Sequence, residues 1–212
     1  MKYTIIFITM ILALFCRSFL VSAYKVPSNK MAPAILAGEF LLASKVSFGM
    51  KFPWSEEAFF ASNPQRGDLV LYSKDSKVFI KRVIAVAQDE IEYQAGEFSI
   101  NSTKCMYVLI EKTDDVNYGI FDEICGDTSQ KIYQAFQPKK LTLVNKIKLE
   151  KSQFFVASDF RSLTDDSEVA ELVSYDQIIG KPLFVWMSYS STQDFISKSL
   201  GIRMNRILTK LK

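Results

Sequence analysis

Residues 78–86 read VFIKRVIAV, a run that is apolar throughout except for Lys81 and Arg82. Its length and its β-branched and aromatic content predict a strand. Period-two alternation puts Lys81 on the face of Phe79, Val83 and Ala85 and turns Arg82 the other way. A lone lysine in a strand ordinarily sits at a solvated edge. Among apolar neighbours, its charged form is instead disfavoured, its pKa falls from about 10.4, and it becomes usable as a base near neutral pH.

Outward from this strand the same signals repeat. Short Val-, Ile-, Phe- and Tyr-rich runs lie at 40–42, 68–72, 98–100, 141–144, 154–156 and 183–187, separated by Gly, Pro, Asn and Asp. The expected class is mainly β: an antiparallel sheet or partly closed barrel. Short helices are expected at 56–61 and 167–172, and a turn into the last strand at 175–180. The more polar stretch at 88–150 reads as an inserted β lobe in a core formed by 25–87 and 151–212. The basic tail, 201–212, reads as a solvated terminus or as a contact for acidic lipid headgroups.

The amino terminus is different in kind. Residues 3–15, YTIIFITMILALF, are apolar, and a helix from Tyr3 to about Tyr24 has the roughly 20 residues that cross a bilayer. Residues 1–24 are therefore expected to be one transmembrane anchor, with Arg17 reaching the headgroups. The competing reading is a cleaved secretory leader ending at the small residues Val21-Ser22-Ala23.

The 212 residues are 49% hydrophobic, enough for a sizeable core. The 26 basic and 23 acidic residues leave a formal +3 without long single-sign runs, which argues against nucleic acid as a partner. Histidine is absent, which excludes His-based triads, dyads and metal sites. No metal or other cofactor is expected. The three cysteines are too few for a Cys-rich metal site. Cys16 reads as a small apolar side chain, while Cys105 and Cys125 are either free thiols or, in an oxidising compartment, a disulfide.

Four ordered segments, Val26 to Glu39, Arg66 to Val70, Phe79 to Val83 and Ser158 to Ser167, resemble the boxes of bacterial type I signal peptidases (leader peptidases, peptidase S26). Val26-Pro27-Ser28-Asn29-Lys30-Met31-Ala32-Pro33 and its sequel to Glu39 are similar to P-S-x-S-M-x-P-T-L-x-x-G-D. Arg66-Gly67-Asp68-Leu69-Val70 matches R-G-D-hydrophobic-V. Phe79-Ile80-Lys81-Arg82-Val83 is similar to the segment carrying the catalytic lysine, and the stretch from Ser158 to Ser167 resembles G-D-N-R-x-x-S-x-D-S. The resemblance implies a Ser/Lys-dyad endopeptidase of the bacterial inner membrane. Such an enzyme is a single-pass monomer whose main domain is extracytoplasmic, in contact with lipid and acting on signal peptides of exported preproteins. By the same resemblance Lys81 is the base, and Asp159, Arg161, Thr164 and Asp166 order the loop around it. Val26, Pro27, Met31, Ile35, Phe79 and Ile80 line the peptide pockets, and Phe48, Met50, Phe52, Trp54, Phe59 and Phe60 extend an apolar, bilayer-facing surface.

The departure lies at the nucleophile. Aligned on Met31 and Pro33, Lys30 stands at the serine position, so a lost or impaired cleavage is expected. An amine acylated on nitrogen leaves an amide that water does not clear. Ser28, by resemblance an oxyanion helper, is the nearby hydroxyl and the candidate substitute nucleophile, so the alternatives are an active endopeptidase using Ser28 or a non-catalytic protein that binds preproteins or assists assembly. Along an extended strand it would lie roughly 6.5 Å from Lys30's position, where proton transfer needs about 3 Å. Ser158 and Phe160 also replace the family's glycine and asparagine.

Overall fold

The computed structural model describes residues 2–15, 20–49, 62–94, 97–113, 115, 117–136, 144–161, 169–190 and 201–211. Helix α1 spans Lys2–Phe15. Sixteen strands follow: β1 (Val21–Lys25), β2 (Glu39–Ser44), β3 (Leu69–Lys74), β4 (Lys77–Ala85), β5 (Glu90–Gln94), β6 (Glu97–Ile100), β7 (Thr103–Lys104), β8 (Met106–Lys112), β9 (Tyr118–Cys125), β10 (Thr128–Ala135), β11 (Val144–Lys148), β12 (Gln153–Ala157), β13 (Ala170–Ser174), β14 (Ile178–Ser190), β15 (Gly201–Ile202) and β16 (Thr209–Lys210). The protein is mainly antiparallel β, as its alternating apolar runs require.

The largest sheet runs β1-β2-β14-β3-β4-β12-β13, with β15 and β16 added to β14. Its strands come from the two ends of the chain. The intervening strands build two smaller sheets, β10-β9-β8 and β11-β5-β6-β7. These share one core with the main sheet: Ile84, Phe155 and Ala157 pack with Ile91, Tyr93, Phe98, Cys105 and Cys125. A disulfide joins Cys105 to Cys125 inside that cluster. Two hairpins close on paired left-handed residues, Asp75-Ser76 and Asn101-Ser102, the conformation that matches the twist of the flanking strands.

The structure corrects several of these expectations. The helix expected to run to Tyr24 gives way to β1, because Val21–Lys25 pairs residue for residue with Phe40–Ser44 of β2. Among the described residues no helix is long and apolar enough to cross a membrane; α1 has 14 residues, roughly 21 Å. Where 167–172 was expected to be helical, Ala170–Ser174 is a strand paired with β12. The tail is not solvated throughout: Arg203 and Leu211 are buried, and β16 pairs with Val185 and Phe184. Phe48, expected on a bilayer-facing surface, is instead buried in the core with Val70 and Tyr72, while the expected helix at 56–61, the apolar residues from Met50 to Phe60, Cys16, Arg17 and residues 141–143 lie outside the described residues.

Candidate functional site

The site begins with what β4 does at Lys81. β3 pairs with β4 along its full length, from Lys74↔Lys77 to Leu69↔Arg82. On the other side β12 accompanies β4 only from Ala85 to Arg82, where the ladder ends at Ala157. Beyond that point the chain turns off: the Ser158 amide donates to the Val169 carbonyl at 2.7 Å. A cleft of about 670 Å³ opens there, bounded by the 77–81 stretch of β4, the chain from Tyr24 to Met31, Ser158 and Glu171. Alternation holds through this part of β4. Phe79 and Val83 pack with Val70 and Tyr72, and Arg82 turns away from them. Ala85 joins the opposite cluster, because the register with β12 shifts between Val83 and Ala85.

Lys81 is 4% exposed, and Glu171, Lys30 and Arg161 are the charged groups that act on its amine. Glu171 of β13 stands 3.6 Å away. That carboxylate also accepts from Lys74 at 2.6 Å and from the Tyr72 hydroxyl. Burial pushes Lys81 down to about 8; Glu171 opposes the shift, and the charges of Lys30 and Arg161 add to it. Glu171 itself is pushed up by burial, but the bonds from Lys74 and Tyr72 and the Lys81 charge leave it below the ordinary carboxylate range. Lys81 therefore exchanges its proton near neutrality, as a base must.

The facing wall is the segment from Val26 to Glu39, which forms consecutive turns rather than a strand at 28–34. The Asn29 side-chain oxygen accepts from the Ala37 amide at 2.8 Å. The Ala32 and Ile35 amides donate to the carbonyls of Asn29 and Met31. The extended spacing expected between Ser28 and Lys30 is thus replaced by a turn. Gly38 closes the segment at φ 81°, where a Cβ would lie 1.9 Å from the Tyr189 carbonyl oxygen. Beneath the turns lies Glu39, fully buried and bonded by Arg206 at 2.7 Å. Arg206 and Arg203 also cap the carbonyls of Ala34 and Ala37, each at 2.7 Å, so the carboxyl-terminal segment fastens this wall from below.

Of the residues singled out in the sequence, Val26, Pro27, Ser28, Lys30, Met31, Phe79, Ile80 and Lys81 line this one cleft. Ile35 does not; it is wholly buried with Leu41, Leu69 and Val185 beneath the turns, a core residue rather than a pocket wall. Asp159 and Arg161, expected together at the loop, take different partners. Arg82 grips Asp159 through two bonds of 2.8 and 2.7 Å and caps the Gly67 carbonyl, while Arg161 pairs with the buried Glu123 and caps the Ser158 carbonyl. Both pairs are buried, so each carboxylate needs its guanidinium. The Phe160 amide donates to the Lys30 carbonyl at 3.0 Å and joins the two walls. Ser158 lines the cleft with an ordinary negative φ, so serine is accommodated at this position without strain. Thr164 and Asp166 lie outside the described residues.

Glu171, Tyr72, Glu123 and Glu39 were not foreseen. No local pattern marks Glu171, Tyr72 or Glu123, and for Glu39, which ends the family pattern begun at Val26, none marks its buried pairing. Glu171 reaches Lys81 only because Val156, two strands from Val70, pairs with it.

Comparison with known proteins fits this architecture. The family model described as signal peptidase, peptidase S26, matches residues 2–187. The chain is 25% identical to a signal peptidase I of Buchnera aphidicola (subsp. Schizaphis graminum), covering 95% of this chain and 78% of that one. It is 26% identical to a signal peptidase I of Pseudomonas fluorescens over 88% and 70%, and 28% identical to one of Rickettsia typhi over 95% and 83%. A crystal structure of a signal peptidase I from Enterococcus faecalis superposes with a TM-score of 0.34 at 18% identity, over 57% of this chain and 97% of that one. With its match running through the cleft, Lys30 and Lys81 included, the chain belongs to the signal peptidase family, peptidase S26.

Proposed function

We propose that this chain binds signal peptides of exported preproteins in the Lys30–Lys81 cleft and does not turn them over. The observation that carries this reading is an amine, Lys30, on the wall facing Lys81, at the position that the family pattern gives to the attacking serine. Lys81 is equipped to take a proton, since burial lowers its pKa to about 8. The atom that should surrender that proton is a second amine. Attack by nitrogen would transfer the acyl group into an amide, and hydrolysis would stop there.

Peptide binding is supported by the cleft's form. The 77–81 stretch of β4 runs past the end of β12, so an extended chain can add along it. Val26, Met31, Phe79 and Ile80 supply apolar contacts for its side chains. The exposed apolar side chains of α1, among them Ile5, Ile6, Phe7 and Ile8, support a membrane anchor at the amino terminus. The buried disulfide supports an extracytoplasmic body. The protein then works as a single-pass monomer in the bacterial inner membrane.

A second reading, an active endopeptidase, draws on hydroxyls at the same cleft: Ser28 in the turn and Ser158 beyond β12. One experiment separates the two. Full-length protein in detergent is mixed with a labelled preprotein carrying a photo-crosslinker in its signal peptide. The binding reading expects crosslinks to the cleft and an uncut substrate. No crosslink refutes it, and cleavage that disappears in Ser28→Ala or Ser158→Ala makes the protein an enzyme.

A further inference from the structure

We propose that Glu171 is a positioning residue for Lys81, and that Tyr72 and Lys74 regulate it by competing for the same carboxylate. This regulation belongs to the cleft described above and rests on the reading of Lys81 as its proton acceptor.

The main sheet brings the four side chains to one face. Along β3, Val70, Tyr72 and Lys74 alternate onto the face that Lys81 takes from β4, since Lys81 pairs with Val70 and Phe79 with Tyr72. β13 joins that face through β12: Glu171 pairs with Val156, and Val156 with Val83. Val70, Tyr72, Val83 and Val156 pack together there. β12 accompanies β4 only as far as Arg82, so the Glu171 side chain reaches past the end of that ladder to Lys81.

Each oxygen of the carboxylate has its own donors. Oε2 accepts from Lys74 at 2.6 Å. Oε1 accepts from the Tyr72 hydroxyl and stands 3.6 Å from the Lys81 amine. That separation is longer than an ordinary hydrogen bond, so Lys81 feels this carboxylate more weakly than Tyr72 and Lys74 do. The Tyr72 ring is fully buried and stacks on Phe79 at 5.6 Å, which holds its hydroxyl on Oε1. Lys74 is the donor most open to solvent, with half of its side chain exposed.

The balance of charge gives each member a sign. Burial pushes Lys81 down to about 8, and Glu171 opposes the shift while Lys30 and Arg161 add to it. Lys25, Asp75 and Lys77 line the same cleft. Burial and Glu171 hold the Tyr72 phenol above its usual range, and Glu171 stays below its own, so neither changes charge as Lys81 titrates. Without the Glu171 charge, burial acts unopposed and Lys81 gives up its proton at lower pH. Without the Tyr72 hydroxyl or the Lys74 amine, more of the carboxylate is left to Lys81, which then keeps its proton to higher pH. A side chain that only propped the cleft wall would not produce opposite signs.

The test follows the Lys81 Cε signal by NMR from about pH 6 to 11, in full-length protein in detergent carrying isotope-labelled lysine. The signal is assigned by its loss in Lys81→Met. The wild-type midpoint should lie near 8. Glu171→Gln should lower it by about one pH unit, and Tyr72→Phe and Lys74→Met should each raise it by about half a unit. A Glu171→Gln protein titrating with the wild type overturns the proposal and leaves Lys81 as proton acceptor. A displacement in one direction for all three variants overturns it as well, because a general loosening of the cleft would do the same. A wild-type midpoint near 10.5 overturns both the proposal and the reading beneath it. If Glu171→Gln does not fold, Tyr72→Phe and Lys74→Met decide: a midpoint that either leaves in place or lowers refutes the competition.

Discussion

Replacing Lys81 by methionine should make the protein more stable at neutral pH. The folded chain holds Lys81 near a pKa of about 8, against an ordinary 10.5, because burial disfavours its charge more than Glu171 favours it. At about 1.4 kcal/mol per unit, keeping this amine charged costs roughly 3 kcal/mol at pH 7. The sign follows from linkage. Below pH 8 both states carry the proton and the cost is complete. Between about 8 and 10.5 the folded chain has released it while the unfolded chain keeps it, so wild-type stability rises with pH through that window. Methionine has similar length and no charge, and it leaves Glu171 its bonds from Lys74 and Tyr72. Allowing for the lost contact at 3.6 Å, Lys81→Met should gain about 2 kcal/mol at pH 7, with the gain fading by pH 10.5. Urea unfolding of both proteins at several pH values measures this directly. A variant that is less stable at pH 7, or a difference that does not change with pH, would refute the claim that the fold stores free energy in a depressed amine.

Three further outcomes follow from the buried groups. Arg82→Met strands Asp159, which is fully buried, without its ion-pair partner, and should cost about 3–5 kcal/mol in urea unfolding; a loss below 1 kcal/mol would contradict the pairing. Replacing Cys105 and Cys125 together by alanine opens a loop of 20 residues and should cost about 3 kcal/mol, with the change in melting temperature as readout. Arg206→Ala removes the cation beneath the Ser28–Lys30 wall from the buried Glu39. It should cost about 2 kcal/mol and increase hydrogen exchange at the Ala37 and Gly38 amides, and unchanged protection there would argue against the fastening.

How much of this was legible beforehand depended on how local each signal is. The strand at 78–86 declared itself through composition, and alternation along it separated Lys81 from Arg82 correctly until the irregularity next to Ala85, which depends on β12 and cannot be read from β4 alone. The cleft-lining residues between Val26 and Met31 were found through a family pattern and not through any periodicity, since the segment is built of turns. Ile35 was misplaced because an apolar residue in such a segment looks the same whether it faces a groove or the core. Asp159 and Arg161 were placed together at the loop by resemblance, whereas the fold gives each a partner, Arg82 and Glu123, from a different strand. The same reason hid Glu171 and Glu39. A buried carboxylate is recognised by the cation brought to it, and those cations arrive from residues 90 or more positions away for Glu171–Lys81 and for Glu39–Arg206. The strand at Val21–Lys25 was read as helix because apolar content carried over from the preceding run, while its pairing with β2 lies downstream.

The account turns on whether Lys30 alone separates this cleft from a working one. The most direct measurement is cleavage of a labelled preprotein by the full-length Lys30→Ser variant beside the wild type. A cut at the signal-peptide junction in the variant and none in the wild type is the predicted result. Equal cleavage by both proteins would contradict it, as would a folded variant that binds the peptide and leaves it whole.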